Sequence, residues 1–222
     1  MRLASRAGPA ARVNGRSGSN YAGAVTADPN VAANGASRRR ISRRDEILII
    51  AVDLFATRGY HGVSMDDIGS AAGVTGPALY HHFAGKEAML IAALIPVSEG
   101  LRDGGRDRIR SAAGDAAALE ALVEFHVQFA IDNPAVISVH LGELDRLPDE
   151  PRRVIRRLQR EYVEEWVTVL TRLRPELSPD AARVCAHAAL GLMNSTPFLR
   201  SPLPRTEISA LLRSMALAAL RG

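Results

Sequence analysis

From Ser42 onward, apolar residues recur at spacings of three and four, and no stretch shows the strict two-residue alternation of a half-buried strand. A chain patterned this way buries its apolar stripes by packing helix on helix, so the expected fold class is all-α. The breaks between helices are written in capping residues. Ser42 is expected to cap a first helix with Ile47, Ile50, Ala51, Leu54 and Phe55 facing inward, ending at Gly59. Ser64, with Asp67 three residues on, reads as a capping box opening a helix through Ile68 to Ala71 or Ala72. Gly73 then supplies a turn, Thr75 the next cap, and Gly85 precedes a helix from Lys86 to about Leu101, disturbed at Pro96. Helices over 115–132, 134–145, 150–174, 179–194 and 205–220 follow, with Pro134 and Pro179 in first turns where a missing N–H costs nothing.

Composition narrows the class. With 222 residues, 47% of them hydrophobic, the chain can bury a sizeable core. Cys185 is the one cysteine, so no intrachain disulfide frames the fold. No apolar run approaches the roughly 18 to 20 residues of a membrane-spanning helix, and the N-terminus lacks the apolar block of a secretory signal; a cytoplasmic protein with no membrane partner is expected. The net charge of +4 is unevenly spread: Arg2, Arg6, Arg12, Arg16, Arg38, Arg39 and Arg40 face only Asp28 in residues 1–41, so the remainder is mildly acidic. Residues 1–41 hold almost no large apolar side chains and read as a disordered basic arm, either a dispensable extension or an arm whose Arg38, Arg39 and Arg40 reach DNA phosphates.

The segment from Val74 to Glu87, VTGPALYHHFAGKE, carries the functional signal. Leu79 and Phe83 lie four apart and point inward with Ile68, Ala72 and Val74, which leaves Pro77, Tyr80 and His81 on the outward face. Two short helices joined by a glycine-containing turn form a helix-turn-helix, whose second helix enters the major groove. The residue types suit that task. Ser64 and Thr75 add hydroxyls to the free N–H groups of helix openings, and Gly76 permits close backbone approach. Pro77 and Ala78 present apolar surface to a thymine methyl, Tyr80 and His81 supply donors, and Lys86 adds a charge at the next helix opening.

Residues 43–95, including A-x-x-L-F-x-x-x-G-Y (Ala51, Leu54, Phe55, Gly59, Tyr60), S-x-x-D-I, A-G-V-T and L-Y-x-H-F-x-x-K, resemble the DNA-binding domain of tetracycline-repressor-like (TetR-family) bacterial regulators. The resemblance implies a homodimer with an N-terminal three-helix helix-turn-helix domain over 42–102 and a C-terminal helical ligand-binding and dimerisation domain over 103–222. It places Ser64, Thr75, Pro77, Tyr80, His81 and Lys86 at the DNA and gives His82 and Phe83 a packing role. The last two long helices, residues 179–220, would form the dimer bundle. One departure stands out: many members carry Lys or Arg where this chain has Gly76, which leaves base readout to Pro77, His81 and the arm. Beyond residue 100 the resemblance is architectural.

For a ligand pocket, Phe125, Phe129, Tyr162 and Trp166 are candidate apolar walls, and His126, His140 and Asn194 candidate polar groups. The same aromatic residues at helical spacing also suit an ordinary core. His81 and His82 point about 100° apart on a helix and cannot chelate one ion. His140 with Glu143, and Cys185 with His187, have ligand-compatible spacing but no third partner, so no metal and no cofactor are expected. No nucleophile-base motif or phosphate-cradling loop appears, which argues against an enzyme. The expected function is sequence-specific DNA binding at an inverted-repeat operator, as a repressor released by an apolar or amphipathic small molecule. The alternatives are an activator, a ligand-independent repressor, or a small-molecule-binding protein without DNA function.

Overall fold

The computed structural model describes residues 41–222, so the expected basic arm, with Arg38, Arg39 and Arg40, lies outside the described residues. Among the described residues there is no strand, and the helices are α1 (Arg43–Arg58), α2 (Met65–Ala72), α3 (Gly76–His82), α4 (Lys86–Ser111), α5 (Asp115–Asp132), α6 (Pro134–Glu143), α7 (Asp149–Leu173), α8 (Pro179–Met193) and α9 (Arg205–Arg221). Single 3-10 turns at Leu144–Arg146 and Thr196–Phe198 follow α6 and α8.

Most helix starts obey local chemistry. Ser42 Oγ accepts the N–H of Asp45, Ser178 Oγ accepts that of Ala181, and Ser64 and Asp67 form a reciprocal capping box. Thr75 departs from expectation: its backbone takes the extended N-cap conformation, but its hydroxyl makes no capping bond. α6 is also shorter than expected, because after Glu143 the chain tightens into the 3-10 turn.

The larger correction concerns α4, which runs unbroken to Ser111 instead of ending near Leu101. Pro96 removes one intrahelical donor, yet the helix passes through it, and Ser98 Oγ donates to Leu94 O at 2.8 Å one turn back. Gly104 and Gly105, inside the part of α4 beyond Leu101, are points of close approach. A Cβ on Gly104 would lie 2.5 Å from Phe125 Cζ, and one on Gly105 would lie 2.7 Å from Tyr162 Cε2. α5 and α7 can therefore close on α4 only because two side chains are missing.

Two apolar clusters result, and α4 contributes to both. The first gathers Leu48, Phe55, Ile68, Leu79, Phe83 and Leu90 from α1 to α4, and also takes Val136 and Val139 from α6 and Ile155 from α7. The second joins α5, α7, α8 and α9 around Leu122, Trp166, Leu170, Ala186 and Ala216. α6 thus packs on α1 although its sequence neighbours belong to the second cluster. An ion-pair ladder of Arg102 and Arg106 on α4 with Glu161 and Glu165 on α7 ties the two along their length.

Candidate DNA interface and ligand cavity

α3 is too short to be stable alone, and its orientation is set by what it buries. Leu79 and Phe83 are sunk into the first cluster, each contributing about 1.5–3 kcal/mol through burial. The turn before α3 depends on Gly73, whose φ of +63° lies in the left-handed region, and Val74 N–H closes it by donating to Gly69 O at 2.9 Å. Gly69 is itself a close-approach point, since a Cβ there would stand 3.3 Å from Val74 O.

With its inner face so fixed, α3 turns Pro77, Ala78, Tyr80 and His81 to solvent, and Tyr80 is 56% exposed. Gly76 has open space where a Cβ would be, so its missing side chain reflects no crowding within the chain. His82 is half-buried with its ring edge-on to His81, and the two imidazoles face different surroundings. The guanidinium of Arg44 lies 4.5 Å from the Phe83 ring centre and Arg43 donates to Ala72 O at 2.5 Å, so the start of α1 braces both helices of the motif.

Two expected DNA-contacting side chains already have internal partners. Ser64 Oγ donates to Asp67 Oδ2 at 2.5 Å and accepts the Asp67 N–H at 3.0 Å, and the Ser64 hydroxyl bond holds the Asp67 carboxyl below its ordinary range. Lys86 Nζ donates to Tyr60 O at 2.7 Å and Val63 O at 2.6 Å and sits 4.4 Å from the Tyr60 ring centre. An ammonium has three protons, so one remains for an outside acceptor.

A separate cavity of about 320 Å³ opens between α4, α5, α6, α7 and α8. Its walls are mostly apolar, and among the expected residues it brings together His126, Phe129, His140, Tyr162 and Asn194. Phe125 and Trp166 are not lining residues. Phe125 fills the gap over Gly104 beneath the guanidinium of Arg108, and Trp166 is fully buried behind the wall, edge-on to Tyr162.

The polar groups form a line. With Asn194 presenting Oδ1, the buried His126 carries its proton on Nε2, which donates to that oxygen at 3.1 Å, while Nδ1 accepts the Tyr162 hydroxyl at 3.2 Å. The His126 and Tyr162 rings stack at 5.8 Å. Burial depresses the His126 pKa to about 4 and raises that of Tyr162, so both are neutral at physiological pH. Across the cavity the Gln159 amide donates to His140 Nε2, and burial lowers the His140 pKa as well. No Asp, Glu, Lys or Arg lines the space, which therefore suits an uncharged apolar group with one or two polar atoms.

Sequence reasoning missed the residue that links this cavity to α1. Glu143, at the end of the helix whose His140 and Ile137 line the cavity, accepts the Tyr60 N–H through Oε1 at 3.1 Å. His140 and Glu143 thus have separate duties, and among the described residues no three His, Cys, Asp or Glu side chains gather as a metal site. Only the i, i+3 spacing was visible in sequence; its meaning depends on the return of α6 to α1.

A helix-turn-helix braced against an all-helical body with an internal cavity defines a DNA-binding transcriptional regulator of the one-component type. Residues 47–93 match the profile of bacterial regulatory proteins of the tetR family, and residues 113–198 that of the tetracyclin repressor-like C-terminal domain. The chain belongs to the TetR family, and it is a regulator, not an enzyme. It is 32% identical over 146 residues to the HTH-type transcriptional repressor KstR2 of Mycobacterium tuberculosis, spanning 63% of this chain and 73% of that protein. Against KstR2 of Rhodococcus jostii, at 33% identity, the match spans 58% of this chain and 63% of the relative. The HTH-type transcriptional activator FasR of Mycolicibacterium smegmatis is 38% identical over 90 residues, 40% of this chain and 41% of that one. The solved structure of the ketosteroid transcriptional regulator KstR2 of Mycobacterium tuberculosis superimposes with a TM-score of 0.71 at 27% identity, covering 81% of this chain and 95% of that one. No helix among the described residues is long and apolar enough to cross a membrane.

Proposed function

We propose that this protein is an operator-binding homodimer, a repressor released when an apolar or amphipathic small molecule fills the cavity between α4 and α8. In this reading residues 42–102 are the DNA-binding domain and 103–222 the ligand-binding and dimerisation domain. Pro77, Ala78, Tyr80 and His81 meet base edges, with Gly76 allowing the backbone close; Ser64, Thr75 and Lys86 meet phosphates. The second copy packs on α8 and α9, where Val184, Leu211 and Met215 are exposed large apolar side chains. Such a pair presents its two α3 helices about one DNA turn apart or somewhat more, roughly 34–36 Å in the simplest geometry, to an inverted repeat.

The observation that carries the reading is the double duty of α6. One end of it walls the cavity through Val136, Ile137 and His140, while Glu143 at the other end holds the backbone that closes α1. A ligand that displaces the cavity wall therefore has a physical path to the DNA-binding helices, provided it binds the DNA-free arrangement better than the DNA-bound one. The uncharged lining supports an apolar effector. The test uses Trp166, the sole tryptophan, which is buried against Tyr162 beside the cavity. Compounds that shift its emission should release fluorescent operator DNA at the same concentrations; compounds that fill the cavity and leave operator affinity unchanged would refute release by ligand.

A further inference from the structure

We propose that Asn194 reads the ligand's polar atom: its side-chain N–H groups donate to an oxygen on an otherwise apolar, uncharged molecule in the cavity. The inference rests on the proposed use of the cavity and assigns the ligand's chemistry, a neutral body carrying a ketone, ester or amide oxygen.

The polarity of the hydrogen-bonded line leads to this assignment. Neutral His126 has one ring N–H and Tyr162 one O–H, so the bonds that join them to each other and to Asn194 can run in either direction. Were the His126 proton on Nδ1, it would go to the Tyr162 oxygen, and Asn194 would turn its amide nitrogen to Nε2. The Tyr162 O–H, on a side chain only 5% exposed, would then have no acceptor among the described residues. A stranded buried donor is costly, so that direction is disfavoured. With the proton on Nε2, Tyr162 and His126 are both satisfied, and the unspent group is the amide of Asn194, a half-buried lining residue. Asn194 Nδ2 makes no hydrogen bond among the described residues, which leaves both its protons for a molecule in the cavity.

This donor is held in place by its surroundings. Asn194 closes α8, its backbone N–H donating to Leu190 O at 2.8 Å, and two residues on Thr196 Oγ1 donates at 2.8 Å to Ala130 O on α5, the helix that carries His126. A ligand therefore meets a preorganised group. Other lining side chains are less free: Ser98 spends its proton on Leu94 O, and Gln159 is engaged with His140, whose Nδ1–H is the competing donor. Charge narrows the class further. No Asp, Glu, Lys or Arg lines the cavity and burial keeps His126 neutral, so a carboxylate would enter without a counter-ion, whereas a carbonyl needs none.

The experiment follows Trp166 emission in the full chain during titration with three probes of similar shape: cyclohexyl methyl ketone, ethylcyclohexane and cyclohexanecarboxylate. The ketone and the hydrocarbon should both bind, and at neutral pH the carboxylate should bind about tenfold or more weakly than the ketone. Asn194→Leu and Asn194→Asp each remove the amide protons, and the ionised aspartate keeps an oxygen for His126. In both variants the ratio of ketone to hydrocarbon affinity should fall about tenfold, because the carbonyl is then buried without a donor. An equal loss for both probes, or a ratio that falls in His140→Phe instead, would overturn reading by Asn194 while the cavity reading stands. Carboxylate binding as tight as that of the ketone would overturn the neutral ligand class. If no probe perturbs Trp166, the cavity reading fails and the role of Asn194 with it.

Discussion

The Tyr60 N–H donates to the Glu143 carboxylate at 3.1 Å across 83 residues of chain, and the Tyr60 carbonyl accepts from Lys86 Nζ at 2.7 Å. One residue just past the end of α1, with a peptide group on either side, is therefore held from α6 through its N–H and from the start of α4 through its C=O. Glu143→Ala leaves that part-buried N–H without its acceptor and should cost about 1–3 kcal/mol in chemical unfolding, with Glu143→Gln costing less because it keeps an oxygen. The same alanine variant should narrow the gap between operator affinities with and without an effector; a full-sized gap would show that the coupling runs elsewhere.

Gly105→Ala places a methyl group 2.7 Å from Tyr162 Cε2, and Gly104→Ala one 2.5 Å from Phe125 Cζ. Each should lower the urea midpoint by an amount worth about 1–3 kcal/mol, the usual cost of overpacking. Gly142→Ala, where nothing stands within 4 Å of the added Cβ, should instead stabilise by about 0.5–1 kcal/mol through helix propensity. Equal effects at Gly105 and Gly142 would contradict the close approach of α4 and α7.

Acid should expose His126. Below its ordinary value of about 6.5 the unfolded chain takes up a proton that native His126 refuses down to about 4, so this residue's contribution is full above pH 6.5 and is lost as pH falls through that window. The loss should reach on the order of 3 kcal/mol near pH 4. Thermal unfolding of the natural chain and His126→Gln between pH 7 and 4 checks it: the difference in slope should vanish in the variant, and parallel curves would mean that native His126 takes up its proton as readily as the unfolded chain.

Tyr80→Phe should weaken operator binding by on the order of 1 kcal/mol, the scale of one hydrogen bond, and leave stability alone because Tyr80 points to solvent. Lys86→Ala should do more. It should reduce the salt slope of binding by about one for every sequence, and also lower the melting temperature, since Tyr60 O and Val63 O lose their donor. A lowered melting temperature with an unchanged salt slope would leave Lys86 a brace of the α1–α2 connection only.

The helix-turn-helix was legible because its signals are local. Ser64 with Asp67, Gly73, and Leu79 four residues before Phe83 each specify a cap, a turn or an inward face within a few residues. α4 runs past its expected end near Leu101 for a reason that is not local: Gly104 and Gly105 let Phe125 and Tyr162, far along the chain, close on it. His126, Tyr162 and Asn194 were individually plausible polar candidates, but their order as a hydrogen-bonded line depends on how α5, α7 and the end of α8 converge. Glu143 offered only its spacing from His140, because its bond to Tyr60 depends on the return of α6 to α1.

Footprinting of the full chain on DNA flanking its own gene tests the central claim most directly. The account predicts two symmetric protected half-sites in an inverted repeat, lost when Tyr80 and His81 are both replaced by Ala while the melting temperature holds. Protection that survives that double replacement, or a footprint without two-fold symmetry, would contradict recognition of DNA by a dimer through α3.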